Sequence, residues 1–170
     1  MNDKRDHGGG LDAAIAAYGG TRTDWLDLST GINPVPYPMP TLPPDAWTAL
    51  PDEAAFKRLY ALARSFWNVP DDASIIGATG ASAIIAALPR VIPQGNVCIP
   101  GPTYNEHGAA FAASGWRLGQ DPSHTLVAVH PNNPDGHIRK VSDFDTPYTV
   151  IDESYCDVAP DQSLIQHASR

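Results

Sequence analysis

Between residues 52 and 67 the apolar positions Phe56, Leu59, Tyr60, Ala63, Phe66 and Trp67 recur at intervals of three and four, the period of an amphipathic helix. Upstream, residues 11–18 read as a short helix stopped by Gly19-Gly20. Residues 25–33 read as extended, and prolines 34, 36, 38, 40, 43 and 44 then exclude regular structure and favour an extended arm. Such an arm can wrap a partner subunit or serve as a surface linker. After Val69-Pro70 short apolar runs begin to alternate with helical stretches. Residues 74–76 read as a strand leading into Gly77-Ala78-Thr79-Gly80, with a helix from 81 to 88 ended by Pro89. A second strand, 97–99, leads into Pro100-Gly101-Pro102-Thr103 and a helix up to Gly115, and residues 125–130 and 148–152 supply two more strands. Residues 137–148 leave room for little more than one helical turn between them.

Strands alternating with helices predict a three-layer α/β fold with a mostly parallel sheet, in which ligands bind beyond the carboxyl ends of the strands. The division expected is an arm over residues 1–50, a sheet domain over 51–160 and a short tail over 161–170. The formal charge of −8 and hydrophobic fraction of 42% suit an acidic globule, and the 11 Lys and Arg are too scattered to mark a nucleic-acid surface. Cys98 and Cys156 lie in or beside apolar runs and read as reduced core thiols rather than a disulfide framework. No apolar stretch approaches the roughly 18 residues of a membrane span. No apolar segment follows the charged N-terminus, so the expectation is a cytoplasmic protein with no membrane partner.

The chemistry concentrates after the strands. His130-Pro131-Asn132-Asn133-Pro134-Asp135-Gly136 is followed by Val150-Ile151-Asp152-Glu153-Ser154-Tyr155. A pyridoxal-phosphate site needs a carboxylate to keep the pyridinium nitrogen protonated and donors for the phenolic oxygen. Asp152 ends an apolar run and would be delivered into a crevice by a buried strand; Asn133, in a turn bounded by Pro134 and Gly136, is a fixed amide donor, and Tyr155 a second. Gly77-Ala78-Thr79-Gly80-Ala81-Ser82 would let backbone N–H groups approach an anion at a helix N-terminus, although an ordinary capped turn has the same composition. Tyr104 could stack on a flat ring or belong to the core.

Other readings stand beside this one. Asp152 and Glu153 could form a metal pair, but no His or further Asp lies nearby at ligand spacing apart from Asp157, and His130 fits a satisfied structural group. His7-Gly8-Gly9-Gly10 and the segment ending in Asn33-Pro34 suit a phosphate or carboxylate. Asn33, before a proline, is expected to be extended with its amide aimed away from the chain.

In this order, His-Gly-Gly, Leu-Ser-Thr-Gly-Ile-Asn-Pro, Gly-Ala-Thr-Gly-Ala-Ser, Gly-Pro-Thr-Tyr, Pro-Asn-Asn-Pro-Asp-Gly and Asp-Glu-Ser-Tyr resemble the threonine-phosphate decarboxylases of cobalamin biosynthesis. These are fold-type I pyridoxal-phosphate enzymes related to histidinol-phosphate aminotransferases. The likeness runs from His7 to about Asp157. It implies the large domain of a fold-type I enzyme, a homodimer, and pyridoxal 5'-phosphate as cofactor. It further implies that Gly80, Ala81 and Ser82 hold the cofactor phosphate, Tyr104 stacks on the ring, Asn133 and Tyr155 bind the phenolic oxygen and Asp152 pairs with the ring nitrogen. His7, Gly8 and Asn33 would hold a phosphorylated amino acid. The implied reaction removes carbon dioxide from L-threonine O-3-phosphate and leaves aminopropanol phosphate.

The chain departs from that pattern in its second half. Its lysines are Lys4, Lys57 and Lys140, none in the Ser-x-[Ser/Thr]-Lys segment that carries the Schiff-base lysine, so no catalytic residue is assigned. The arginine that grips the substrate carboxylate has no counterpart, and Leu50 stands where many relatives have tyrosine. The expectation is a catalytically incomplete, truncated form with an incomplete sheet domain. A histidinol-phosphate-type aminotransferase shares every cofactor residue, and a non-catalytic binding module would keep the phosphate cradle alone.

Overall fold

In the computed structural model, which describes residues 8–120 and 124–168, the chain divides into two units, Met1–Ala49 and Leu50–Arg170. In the first, helix α1 (Leu11–Tyr18) ends where Gly19, at φ 81°, donates its N–H to the Ile15 carbonyl at 2.8 Å. A capped turn follows: Asp24 Oδ2 accepts from the Thr21 N–H (2.8 Å) and hydroxyl (2.9 Å), and these bonds hold the Asp24 carboxyl below the ordinary range. No described residue of 25–33 joins a ladder, and the proline segment stays irregular up to a single turn at Pro44–Trp47.

The second unit is built on a sheet. Helix α2 (Glu53–Trp67) is started by Asp52, whose carboxylate accepts the Ala55 N–H at 2.8 Å, and stopped by Asn68 in the left-handed region at φ 53°. Helix α3 (Ala81–Val91), strand β1 (Asn96–Cys98), helix α4 (Asn105–Ala113) and strands β2 (Arg117–Gly119), β3 (Thr125–Val129) and β4 (Tyr148–Asp152) follow. The strand order is β2-β1-β3-β4, and every pairing is parallel. All five residues of β3 are buried, so this central strand is covered on both faces. The parallel α/β architecture expected from the alternation is therefore present.

The core consists of Val97, Phe111, Trp116 and Val127, with Leu88, Ile92, Ile99 and Val150 packed against it. Its aromatic corner is set by the end of α4. Gly115, at φ 77°, donates to Ala112 and Trp116 to Phe111, a Schellman pairing that brings the Trp116 and Phe111 rings to 4.9 Å, edge to face. The Trp116 Nε1–H donates to the Pro89 carbonyl at 3.0 Å.

Two expectations are corrected here, and one strand that the sequence did not mark is added. Residues 74–76 are not a strand: among the described residues no neighbour pairs with them, and Ile76 is 83% exposed. An apolar β-branched run becomes a strand only where a second backbone satisfies its donors and acceptors. Helix α3 does not end before Pro89 but continues through it to Val91: Pro89 is buried and its carbonyl accepts the Trp116 Nε1–H, tertiary contacts that offset the intrahelical bond the proline removes. Finally, β2 pairs with β1 although all three of its residues are exposed, so no apolar pattern marks it.

Candidate functional site

The register between β3 and β4 sets Val129 opposite Asp152, and the His130 N–H donates to the Asp152 carbonyl at 2.8 Å. The ends of β1, β3 and β4 are consecutive along one edge of the sheet. The Pro102–Tyr104 loop, the 130–136 turn and the Asp152 carboxylate all leave the strands there.

Asp152 is the best-defined group of this edge. Its Oδ2 lies 2.8 Å from His107 Nε2, and its Oδ1 accepts from the Ser154 N–H at 3.0 Å and hydroxyl at 2.5 Å. Its side chain is 12% exposed. Burial pushes its pKa upward, but the hydrogen bonds from His107 and Ser154 together outweigh that and hold the carboxyl below the ordinary range. A carboxylate offers about four lone-pair directions, of which three are occupied, leaving one for a single further donor. That is what a protonated ring nitrogen requires. Neither His107 nor Ser154 was singled out from the sequence. His107 follows Tyr104 by one helical turn on α4, and that spacing is the one signal that could have found it.

His107 is 1% exposed, and its Nδ1 is buried with no hydrogen-bond partner among the described residues. Its ring meets that of Tyr104 at 6.2 Å and 83°. Tyr104, His107 and Asp152 thus form a continuous row across the strand ends. Asn133 is half-buried in the turn after β3, and Tyr155 is 38% exposed three residues past Asp152. Neither the Asn133 amide nor the Tyr155 hydroxyl has a hydrogen bond among the described residues, so both are free to donate.

Gly80 sits at the N-cap of α3 with φ 91°, a conformation that favours glycine, and no side chain caps the helix. The first N–H groups of α3, at Ala81 and Ser82, can donate to an anion. The loop is anchored by Gly77, whose N–H donates to the Tyr60 hydroxyl of α2 at 3.2 Å. Among the described residues, Gly80, Ala81 and Ser82 make no hydrogen bond to Asp152, whose partners are His107 and Ser154.

The metal reading gains geometry but loses on chemistry. Ligand atoms of His130, Glu153 and Cys156 lie within 4.8 Å of one another. Yet His130 Nδ1 accepts from the Arg139 N–H and Nε2 faces the Gln162 carbonyl at 2.7 Å, so neither ring nitrogen has a free lone pair. Glu153 accepts from Ser163 Oγ and the Leu164 N–H, and burial pushes the Cys156 thiol up, toward its protonated form. These groups fasten residues 156–167 to the strand ends.

In the first unit, His7 lies outside the described residues. Gly8 and Gly9 have φ of 74° and 75°, and the Gly9 N–H donates to Ser29 Oγ at 2.7 Å. Ser29 is itself held by Asp27 Oδ1, whose carboxyl the Ser29 hydroxyl and N–H keep below the ordinary range. A Cβ on Gly8 would lie 2.2 Å from the Ser29 carbonyl oxygen, so the two segments that the sequence reading put together do meet. The expectation for Asn33 is corrected in part. Its Oδ1 turns back to accept the Val35 N–H at 2.9 Å, since a local Asx turn satisfies a donor that the proline-rich stretch leaves without a ladder.

Parallel sheet, row of groups along the strand ends and glycine-opened helix together define the class: an α/β protein with polar and aromatic groups gathered at the carboxyl edge of its sheet. Comparison with known proteins narrows the class. The chain is 34% identical over 181 residues to a threonine-phosphate decarboxylase of Sinorhizobium sp., covering 96% of the chain and 54% of that protein. It is 32% identical over 189 residues to a threonine-phosphate decarboxylase of Pseudomonas aeruginosa, covering 97% of the chain and 54% of that protein. The resemblance read from the motifs is thereby established over nearly the whole chain, which spans about half the length of these relatives. No family model matches it.

Proposed function

We propose that this chain forms the cofactor-holding part of a pyridoxal-phosphate-dependent decarboxylase acting on L-threonine O-phosphate. The observation that carries the reading is Asp152: a buried carboxylate, held ionised, with one lone-pair direction left, in a chain similar to threonine-phosphate decarboxylases. When bound, pyridoxal phosphate supplies an electron sink for the carbon that loses carbon dioxide. Asp152 keeps the ring nitrogen protonated, Tyr104 covers the ring, Asn133 and Tyr155 donate to its phenolic oxygen, and the N-terminus of α3 at Gly80, Ala81 and Ser82 takes the phosphate. His107 and Ser154 orient Asp152. His7, Gly8 and Asn33 hold the phosphorylated amino acid; the seating of Gly8 and Gly9 on Ser29 supports their pairing with that segment. The protein works as a homodimer in the cytoplasm.

The test has two arms. Pyridoxine phosphate, which has no aldehyde, should bind the chain with its ring nitrogen protonated, as read by ultraviolet absorbance, and Asp152→Asn should abolish that signature. The chain joined to the unmatched part of the Pseudomonas aeruginosa relative should release carbon dioxide from threonine phosphate. Transamination of histidinol phosphate with 2-oxoglutarate, and no carbon dioxide, would overturn the decarboxylase assignment.

A further inference from the structure

Asn132 was not among the groups assigned to the site, yet it is 6% exposed and both ends of its amide are hydrogen-bonded. Its Oδ1 accepts from Thr103 Oγ1 at 2.6 Å, and its Nδ2 donates to the Pro102 carbonyl at 3.0 Å and to Asp135 Oδ1 at 2.8 Å. Its backbone closes its own turn, with the N–H donating to the His137 carbonyl at 2.9 Å and the carbonyl accepting from Gly136 at 2.7 Å. One buried amide therefore bridges the loop after β1, which carries Tyr104, and the turn after β3, which carries Asn133.

An amide suits this place because its partners are of both kinds. Thr103 presents a donor, whereas the Pro102 carbonyl and the Asp135 carboxylate present acceptors. A carboxylate at 132 would face two acceptors, and an alanine would leave the Pro102 carbonyl and the Thr103 hydroxyl unsatisfied. The Asn132 side-chain Nδ2–H and the His137 backbone N–H also hold the Asp135 carboxyl below the ordinary range, so the turn closes around an ionised acceptor. Nothing in the cofactor assignment requires this amide, since Asn133 is the donor proposed for the phenolic oxygen.

We propose that Asn132 is a positioning residue that locks the Tyr104 loop and the Asn133 turn into one unit, fixing the separation between a ring set against Tyr104 and an oxygen bound by Asn133. The ligand in this statement rests on the cofactor reading above; the lock does not.

Amide hydrogen exchange and pyridoxine phosphate titration on the full chain test it. Thr103→Val removes the donor to Asn132, and the Gly136 amide, which Thr103 does not touch, should exchange about tenfold faster. Thr103→Ser, which keeps the hydroxyl, should restore the original rate. Unchanged exchange at Gly136 in Thr103→Val would show that the loops are independent and overturn the lock. In the binding arm, Asn133→Ala should weaken pyridoxine phosphate about tenfold in the parent chain but less than about twofold in an Asn132→Ala background. Equal losses in both backgrounds are what simple destabilisation produces and would also overturn it. Should the parent chain bind no pyridoxine phosphate, the cofactor reading fails and the exchange rates decide the lock alone. The Thr103 pair keeps the test open if Asn132→Ala does not fold.

Discussion

His107 Nε2 lies 2.8 Å from Asp152 Oδ2, joining the first turns of α4 to the last residue of β4 across 45 positions of sequence. The carboxylate can only accept, so the imidazole donates, and its Nδ1 is left buried without a partner among the described residues. A buried polar atom thus stands without a partner among the described residues beside a carboxylate held by three donors, and its neighbour Tyr104 extends the row.

Replacing His107 by Phe should therefore raise the Asp152 pKa and cost about 1.5–3 kcal/mol of stability, the usual worth of a hydrogen bond to a charged group. The carbon-13 titration of the Asp152 carboxyl and chemical denaturation measure the two effects. An unmoved titration would mean that Ser154 alone sets the carboxyl.

Acid should unfold the second unit in a definite direction. The folded-state pKa of Asp152 is depressed, so its contribution to stability is present above the unfolded value of about 3.9 and is lost as pH falls through the folded value. Denaturation midpoints should fall with pH over that range in the parent chain and fall less in His107→Phe, where the folded value has moved toward the unfolded one.

Asp152→Asn should affect the fold as well as ring binding. Three donors converge on the carboxylate, and an amide offers only one oxygen to them, so a loss of about 1–3 kcal/mol is expected. Denaturation curves with and without pyridoxine phosphate separate the two losses. Stability equal to the parent would show that the amide finds a rotamer satisfying all three donors.

The lysines make a further prediction. Lys57 is exposed on α2 and paired with Glu53 at 2.6 Å, and neither it nor Lys140 belongs to the strand-end row. Pyridoxal phosphate followed by borohydride should label this chain heterogeneously and in less than one equivalent. A single stoichiometric label, located by mass spectrometry of peptides, would contradict the assignment of no catalytic lysine.

In the first unit, Gly8→Ala should be worse tolerated than Gly9→Ala. Both residues have positive φ, a strain of about 1–2 kcal/mol for alanine, but only at Gly8 would the added Cβ collide with the Ser29 backbone. Exchange of the Gly9 amide, which donates to Ser29, should accelerate strongly in Gly8→Ala and modestly in Gly9→Ala.

Some of this protein was determined by local chemistry that any stretch of chain carries with it. The period of α2, the glycine stop after α1 and the apolar runs of β3 and β4 depend on neighbours within a few residues, and they were legible in the sequence. So was the position of Asp152, because a carboxylate ending an apolar run has few places to go. Other features were decided only when distant segments met. The strand expected at 74–76 had the right composition but found no partner, whereas β2, exposed at every residue, became a strand because β1 offered it one. His107, Thr103 and Asn132 looked like ordinary polar residues until the parallel register of β1, β3 and β4 brought their loops to one edge. A hydrogen-bond partner 29 or 45 residues away leaves no local pattern, and only the tertiary structure could select it.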